Sequence, residues 1–260
     1  MRLLFIRHGD PDYENDTLTE KGRREASLLA DIIEEYRIDD IYQSPLGRAK
    51  DTAAYSCKVL EKEPVTLDWL KEFPAEADPN VSEAARQAYA NELQLDVATG
   101  KYKGHILWDV LPSYYMNHPE LFDREGWRES ELVKGSDMAE LYDQVVPAFD
   151  KLLADYGYVK EGMAYRVTEN NDKTIAFFCH YGLTSLLLSR LWNVSPFVVW
   201  QFTALAPTSV TEVVSEERQK GIATFRTLRA GEITHLRIGN EEPSFSARFC
   251  EKYENMDERH

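Results

Sequence analysis

The sequence has little cysteine, and this argues against a disulfide framework as the basis of its fold. Its cysteines are odd in number and widely spaced, with no Cys-x-x-Cys pair: Cys57, Cys179 and Cys250. Disulfide-rich domains carry an even set of cysteines and belong to oxidising compartments. We therefore expect free thiols, a reducing compartment and a cytoplasmic location.

Positive charge is also scarce. Thirty Lys and Arg residues stand against 45 Asp and Glu residues, which gives a formal net charge of −15. Nucleic acids and anionic membrane surfaces are bound through cationic surfaces, so we expect neither as a partner. A small anionic substrate remains compatible with this charge, because a few arginines in a pocket set the local potential. Such a site must be built from particular residues.

Long apolar runs and common cofactor motifs are missing as well. The N-terminal apolar run, Leu3 to Ile6, is too short for a signal peptide, and no segment approaches the length of a membrane span. The histidines lack metal-ligand spacing, and no Walker-type or dinucleotide-binding glycine loop occurs. The sequence therefore predicts neither a resident metal nor a cofactor, and it leaves the oligomeric state open.

What is present is a pattern typical of an α/β protein. Short apolar runs predict strands, and segments with helical spacing predict helices between them. The predicted strands are 3–6, 41–43, 65–67, 163–167 and 174–179, and the predicted helices are 19–36 (with Thr19 as N-cap), 48–60 and 183–192. This alternation implies βαβ units, a largely parallel sheet and a three-layer α/β/α architecture. Residues 210–214 and 222–228 flank a polar turn and are expected to pair as a hairpin.

The pattern changes over residues 73 to about 158. Helices are predicted at 81–98 and 136–156, with Pro147 positioned to kink or split the second. An aromatic stretch separates them, and no strand is predicted. We expect one domain over residues 1–260, with a mostly helical cap inserted at about 73–162.

Residues suited to catalysis or to ligand binding follow three of the predicted strands. Arg7 and His8 follow the first strand, Arg48 follows Ser44-Pro45 after the second, and His180 follows the strand that ends at Cys179. The carboxyl ends of parallel strands meet at one edge of a sheet, where open α/β folds bind ligands. Two histidines and two arginines are thus expected to converge.

This set suits phosphoryl transfer. The reaction needs a nucleophile in line with the leaving oxygen and cations around the phosphoryl oxygens, which arginine forks bind well. A neutral imidazole is a competent nucleophile when its other nitrogen is held protonated. A leaving alkoxide also needs an acid. Glu72 is the natural candidate, with Glu76 and Asp78 as rivals.

The chain resembles the histidine phosphatase superfamily in its phosphoglycerate-mutase-like branch. The matching pieces are Arg7-His8-Gly9, Leu18 to Gly22, Ser44 to Ala53, Leu70-x-Glu72 and His180-Tyr181-Gly182. The resemblance implies a phosphoglycerate-mutase-like fold and no metal. It also implies a phosphohistidine at His8, a phosphate pocket of Arg7, Arg48 and His180, and Glu72 as acid and then base.

The chain departs from the mutases within this family. No Glu-Arg-x-Tyr-Gly motif follows Glu72, and the first loop lacks the Asn-x-x-x-x-Phe-x-Gly-Trp pattern. We therefore expect a phosphatase that hydrolyses a small phosphorylated metabolite. Three alternatives remain open: a mutase that returns the phosphoryl group, a non-catalytic phospho-ligand binding module, and a metallohydrolase with His8, His180 and Glu72 as ligands.

Overall fold

The computed structural model describes residues 1–245 and 253–255, so Cys250 lies outside the described residues. The strands are, in chain order, β1 (Arg2–Arg7), β2 (Pro11–Asp12), β3 (Thr17–Leu18), β4 (Asp40–Gln43), β5 (Val65–Thr66), β6 (Glu76–Ala77), β7 (Leu95–Asp96), β8 (Lys101–Tyr102), β9 (His105–Ile106), β10 (Tyr158–Glu161), β11 (Ala164–Val167), β12 (Thr174–Cys179), β13 (Val210–Gln219) and β14 (Ile222–Glu232). The α-helices are α1 (Glu20–Ile32), α2 (Gly47–Leu60), α3 (Glu83–Tyr89), α4 (Pro112–Tyr115), α5 (Glu131–Lys134), α6 (Met138–Asp155), α7 (Tyr181–Trp192), α8 (Pro196–Phe202) and α9 (Thr234–Ile238). Short 3-10 helices span Ile33–Tyr36, Asp68–Leu70, Ala90–Glu92, Leu107–Asp109, Pro119–Phe122 and Gly126–Glu129.

Eight strands form a central sheet in the order β10–β11–β14–β13–β1–β12–β4–β5. The strands β1, β12, β4 and β5 pair in parallel. On the other side, β13 pairs antiparallel with β1 and forms a hairpin with β14. The predicted α/β fold and the predicted hairpin are confirmed, and the hairpin is longer than the apolar pattern indicates.

The middle strands of the sheet are buried on both faces, as the continuous apolar run at Leu3 to Ile6 predicts. On one face, alternate side chains of β1 and β12 pack against α1 and α2 in a shared cluster that includes Leu4, Ile6, Leu29, Ile33, Ala53, Cys57, Ala176 and Phe178. On the opposite face the rings of Phe5 and Phe177 stack with centroids 5.3 Å apart. Each such fully buried side chain stabilises the fold by about 1.5–3 kcal/mol relative to exposure. The buried core of the sheet therefore lies along β1 and β12.

The helix α1 begins as predicted at Thr19, whose hydroxyl oxygen accepts a hydrogen bond from the N–H of Gly22 at 3.0 Å. Gly22 also lies against the loop that follows β1. A Cβ on Gly9 would lie 2.7 Å from the Gly22 carbonyl oxygen, and a Cβ on Gly22 would lie 2.2 Å from the Asp10 carbonyl oxygen. Both glycines are needed for this close approach, which sets the path of the loop after β1.

The chain divides into two compact units. The first contains Met1–Glu72, Lys151–Thr184 and the described residues from Ala204 onward, and the second contains Phe73–Asp150 and Ser185–Thr203. Contacts far apart in sequence join the two parts of the second unit: Ser195 Oγ donates to the Leu121 carbonyl oxygen, and Arg190 pairs with Asp150 at 2.6 Å. Residues 151–162 lie in the first unit, and an inserted cap at about 73–162 stays a prediction.

Within the second unit the predicted helix 81–98 is too long. The helix α3 ends at Tyr89, and Ala90 has a φ of 27°. Beyond it, β7 and β8 form a small hairpin whose turn is closed by Gly100, with a φ of 66°, and by the Asp96 carboxylate, which accepts hydrogen bonds from Ala98 and Thr99. Two-residue strands are too short to show an alternating pattern, so the sequence does not reveal them. Pro147 does not split α6, which runs unbroken from Met138 to Asp155.

None of the helices in the described residues is long and apolar enough to cross a membrane. Cys57 and Cys179 are free thiols and both are buried.

Candidate active site

The predicted convergence of strand ends is present. Arg7 pairs with Cys179 across β1 and β12, and Phe178 pairs with Gln43 across β12 and β4. Backbone hydrogen bonds continue just beyond the strands: the His8 N–H donates to the Cys179 carbonyl at 3.0 Å, and the Ser44 N–H donates to the Phe178 carbonyl at 2.9 Å. The three loops that follow these strands therefore start side by side at one edge of the sheet.

His8 is buried and its tautomer is fixed. Its Nδ1 lies 2.7 Å from the carbonyl oxygen of Gly9, which can only accept, so Nδ1 carries the proton. The Nε of Arg48, which can only donate, lies 3.4 Å from His8 Nε2. Burial, together with the charges of Arg7 and Arg48, lowers the pKa of His8 well below its usual value, despite the opposing effect of the Gly9 hydrogen bond. At neutral pH, Nε2 therefore presents a lone pair between cations.

His180 lies beside His8, with ring centroids 5.1 Å apart. Its Nε2 is 2.7 Å from the hydroxyl oxygen of Ser44, and that oxygen also accepts a hydrogen bond from the Leu46 N–H. When the Ser44 hydroxyl donates to His180 Nε2, the imidazole proton lies on Nδ1. Among the described residues, no atom accepts a hydrogen bond from this buried Nδ1. Burial and the neighbouring His8 lower the pKa of His180 well below its usual value.

Arg48 lies in the first turn of α2, the helix that follows Ser44. Its guanidinium contacts His8 through Nε and pairs with Asp16 through Nη1 at 2.8 Å. Its side chain is 11% exposed. The exposed ring of Tyr13 lies against it, with 5.4 Å from the guanidinium carbon to the ring centroid. Arg48 therefore places one cation next to His8 Nε2, and its fork retains further donors.

Asp16 fixes the position of Arg48. One carboxylate oxygen accepts from Arg48, and the other accepts from the N–H of Gly47 at 2.6 Å. Because Leu46 at the N-cap has an apolar side chain, Asp16 supplies the acceptor that the start of α2 needs. Burial acts to raise the pKa of Asp16, but the hydrogen bonds and charge from Gly47 and Arg48 outweigh it, so this pKa lies below its usual value.

Arg7 is the last residue of β1 and is buried. Its Nη1 donates to the carbonyl oxygen of Leu205, and its guanidinium carbon lies 5.8 Å from the ring centroid of Tyr181. Tyr181 is the first residue of α7, and Leu205 lies in the segment between α8 and β13. Arg7 is thus a second cation held in place by a backbone carbonyl and an aromatic ring.

Glu72 is anchored at the start of α7, directly after His180. Its Oε1 accepts a hydrogen bond from the N–H of Leu183 at 3.0 Å. It is close enough to Arg7 for its charge to act on the pKa of that guanidinium. Glu72 belongs to the first unit, together with His8 and His180, whereas the rivals Glu76 and Asp78 belong to the second unit.

The loop after β1 is tied down by polar contacts. The N–H of Gly9 donates to Thr52 Oγ1 at 3.0 Å, and the Thr52 hydroxyl donates to the Arg48 carbonyl. The N–H of Asp10 donates to the buried Glu25 carboxylate at 2.8 Å. Burial raises the pKa of Glu25 to about 7. These bonds link the His8 loop to α1 and α2.

The family comparison agrees with this geometry. Residues 3–104 match the family model of the histidine phosphatase superfamily (branch 1). Over these residues the chain is similar to the histidine phosphatase superfamily. It is 34% identical over 113 residues to a 2,3-bisphosphoglycerate-dependent phosphoglycerate mutase of Thermoplasma acidophilum. That match covers 40% of this chain, and the chain spans about half (51%) of the length of the mutase.

Solved structures show the same fold. The phosphoserine phosphatase of Entamoeba histolytica in complex with 3-phosphoglyceric acid is 19% identical, with a TM-score of 0.56 and coverage of 90% of this chain and 98% of that chain. A mycobacterial glucosyl-3-phosphoglycerate phosphatase in complex with inorganic phosphate is 18% identical, with a TM-score of 0.56 and the same coverage. These similarities confirm the predicted phosphoglycerate-mutase-like α/β fold.

Two polar residues of this site are not predicted from the sequence. Ser44 stands in the matching motif, and nothing in that motif predicts that its hydroxyl lies 2.7 Å from His180 Nε2. Asp16 follows Asn15 in a polar loop. An aspartate in a turn can accept hydrogen bonds from backbone N–H groups, and this is the one signal in the sequence for its role as a helix cap. Its partner lies 32 residues away, so its contact with Arg48 appears only in the fold. Within the described residues, no group of three His, Cys, Asp or Glu side chains is arranged to hold a metal ion.

Proposed function

We propose that the chain is a metal-independent, cytoplasmic phosphatase that hydrolyses small phosphorylated metabolites through a phosphohistidine at His8. The observation that carries this proposal is the fixed tautomer of His8. Its Nδ1–H donates to the Gly9 carbonyl, so the Nε2 lone pair faces Arg48. A neutral, oriented imidazole beside arginine donors is what attack on phosphorus requires.

The phosphate is held by three residues. Arg7 and Arg48 neutralise the phosphoryl oxygens, and His180 donates from Nδ1 to one of them. Both imidazoles are neutral at pH 7, so His180 serves as a neutral donor and the arginines supply the positive charge. The buried Nδ1 of His180, for which the described part of the chain offers no hydrogen-bond partner, supports this assignment.

The reaction has two displacements. His8 Nε2 forms a bond to phosphorus, the bond from phosphorus to the ester oxygen breaks, and Glu72 gives its proton to the departing oxygen. The positive charge of the phosphoimidazole is stabilised by the Gly9 carbonyl. A water then attacks phosphorus, Glu72 takes its proton, and the bond from phosphorus to nitrogen breaks. Inorganic phosphate and free His8 result.

The test is turnover of an aryl phosphate and a panel of phosphorylated metabolites in the presence of a chelator. His8→Ala is expected to lower turnover by on the order of a thousandfold or more. Glu72→Gln is expected to release the aryl alcohol in a burst and then stall, because an aryl oxide leaves without an acid while water still needs the base. The stalled protein should carry an acid-labile phosphoryl group. Glu76→Gln is the matched control and should turn over normally.

Each contrary result identifies a specific error. Full turnover in His8→Ala would mean that another residue is the nucleophile. Loss of turnover with chelator would favour the metallohydrolase with His8, His180 and Glu72 as ligands. Phosphate binding without turnover of any ester would favour a non-catalytic binding module.

A mutase is the second candidate, because the matched relative in Thermoplasma acidophilum is a phosphoglycerate mutase. It would return the phosphoryl group from His8 to a second oxygen of the substrate. Such an enzyme needs priming by a bisphosphate, so the test adds 2,3-bisphosphoglycerate to 3-phosphoglycerate. Formation of an isomeric monophosphate faster than release of inorganic phosphate would establish the mutase and overturn the phosphatase.

A further inference from the structure

Thr208 lies in the turn that leads into β13, and its N–H contacts the backbone at the end of β1, where His8 begins the loop that follows. The N–H of Thr208 lies 3.1 Å from the carbonyl oxygen of Arg7 and 3.2 Å from that of His8. On the other side, the His8 N–H donates to Cys179 in β12. One N–H thus serves two successive carbonyls, and the main chain that carries the nucleophile is held between its neighbours in the sheet.

Thr208 adopts a backbone conformation that its side chain disfavours. Its φ is 57°, in the left-handed region, and the residue is fully buried. A β-branched residue at positive φ is an outlier, because its Cβ crowds the backbone there. Such conformations persist where the surroundings over-determine them, and they are concentrated at functional sites. The surroundings of Thr208 must therefore hold it in place.

His235 is the side chain that holds it. The ring is buried, and its Nε2 lies 2.9 Å from the Thr208 hydroxyl oxygen. That hydroxyl also lies 2.7 Å from the Pro207 carbonyl oxygen. The carbonyl can only accept, so the single hydroxyl proton goes to Pro207 and the hydroxyl oxygen accepts from His235 Nε2–H. Burial lowers the pKa of His235 to about 4, so the neutral form that this arrangement needs prevails at neutral pH.

We propose that His235 is a positioning residue for phosphoryl transfer: through the Thr208 hydroxyl it holds the Thr208 N–H against the carbonyls of Arg7 and His8. This inference rests on the proposed role of His8 as nucleophile. It assigns His235 no contact with substrate. Its loss should therefore slow phosphorylation of His8 while phosphate binding by the arginines is kept.

The experiment measures His8 phosphorylation by rapid quench with an aryl phosphate, and inorganic phosphate affinity by competition. His235→Leu is expected to slow phosphorylation by about tenfold or more, because small misplacements of a nucleophile are costly. The inhibition constant for inorganic phosphate should change by less than about threefold. His235→Gln, whose amide N–H can reach the same hydroxyl, should restore most of the rate. Tyr158→Phe, which removes a hydrogen bond to Ser215 near the opposite end of β1, is the control and should match the wild type.

Two further variants separate positioning from simple stability. Thr208→Gly relieves the left-handed strain but removes the hydroxyl that accepts from His235, so the folded variant should still phosphorylate His8 slowly. The double variant Thr208→Val with His235→Leu should phosphorylate His8 no more slowly than the slower of its two single variants. Both substitutions remove the same hydrogen bond, so their effects should not add. A purely structural role would instead give Thr208→Gly the wild-type rate, and that result would overturn the inference.

A second readout does not depend on turnover. The NMR signal of the His8 Nδ1–H proton reports its hydrogen bond to Gly9, and it should move in His235→Leu and Thr208→Gly but not in Tyr158→Phe. An unmoved signal would overturn the positioning role even if the wild type hydrolysed no ester. Absence of phosphohistidine in the wild type would instead refute the proposed function, so the two failures are distinguishable.

Discussion

Replacement of Arg48 by lysine tests whether the arginine fork, and not only its charge, is needed. In the structure one guanidinium serves two places at once: Nη1 bonds to Asp16 at 2.8 Å, and Nε faces His8 Nε2 at 3.4 Å. A lysine ammonium is a single point and cannot occupy both places. Arg48→Lys keeps the charge but must give up either the ion pair or the contact beside the nucleophile.

The expected cost follows from the burial of this site. The Arg48 side chain is only 11% exposed, so solvent screens its interactions weakly. One hydrogen bond to a charged group contributes about 1.5–3 kcal/mol. If that is lost at the transition state, kcat/KM falls by about 10- to 150-fold, since about 1.4 kcal/mol corresponds to a factor of ten.

The assay is steady-state hydrolysis of an aryl phosphate, with thermal unfolding followed on the same samples. Arg226→Lys is the matched control, because Arg226 pairs with Glu216 on the exposed hairpin at 2.7 Å. It should leave kcat/KM unchanged. An Arg48→Lys variant that is folded and within about threefold of the wild type would refute the reasoning, since a fork would then have no advantage over a point charge.

Three other changes have defined outcomes. Asp16→Asn leaves one acceptor oxygen for two donors, Gly47 and Arg48, so the free energy of unfolding in urea should fall by about 1 kcal/mol. Gly9→Ala places a Cβ 2.7 Å from the Gly22 carbonyl oxygen, so turnover should fall because the nucleophile loop has to move. Acid should destabilise the fold through His235. The pKa of this histidine is 6.5 in the unfolded chain and about 4 in the folded protein. The unfolded chain therefore binds a proton more readily, and the free energy of unfolding falls as the pH drops below 6.5. His235→Leu removes this effect, which amounts to about 3 kcal/mol at pH 4.

These measurements also have results that would contradict them. Asp12→Asn is the control, because the Asp12 carboxylate accepts hydrogen bonds from the neighbouring Asn15. It should unfold at the same urea concentration as the wild type, and equal losses of stability in both variants would remove the special role of Asp16. Full activity in Gly9→Ala would mean that the loop tolerates displacement. Equal acid sensitivity of His235→Leu and the wild type would mean that other buried histidines, such as His8 and His180, account for it.

Much of the fold and the central site could be predicted from the sequence because the signals are local. Apolar runs of four to six residues indicate buried strands, and the polar residues that follow them indicate a ligand edge. Leu3 to Ile6, Thr174 to Cys179 and the start of α1 at Thr19 are where these rules expect them. The second unit was less predictable, because short strands and a helix that ends at Tyr89 depend on turns and distant contacts.

The sequence by itself determined which residues stand at the ends of the parallel strands: Arg7, His8 and His180 directly after buried runs, and Arg48 in the turn after Ser44. Only the tertiary structure decided their protonation and support. Gly9 fixes the proton on His8, Ser44 contacts His180, and Asp16 and the Thr208–His235 pair hold Arg48 and the His8 main chain. Strand ends are set by local hydrophobic pattern, whereas a hydrogen bond across many residues depends on where folding brings the chain.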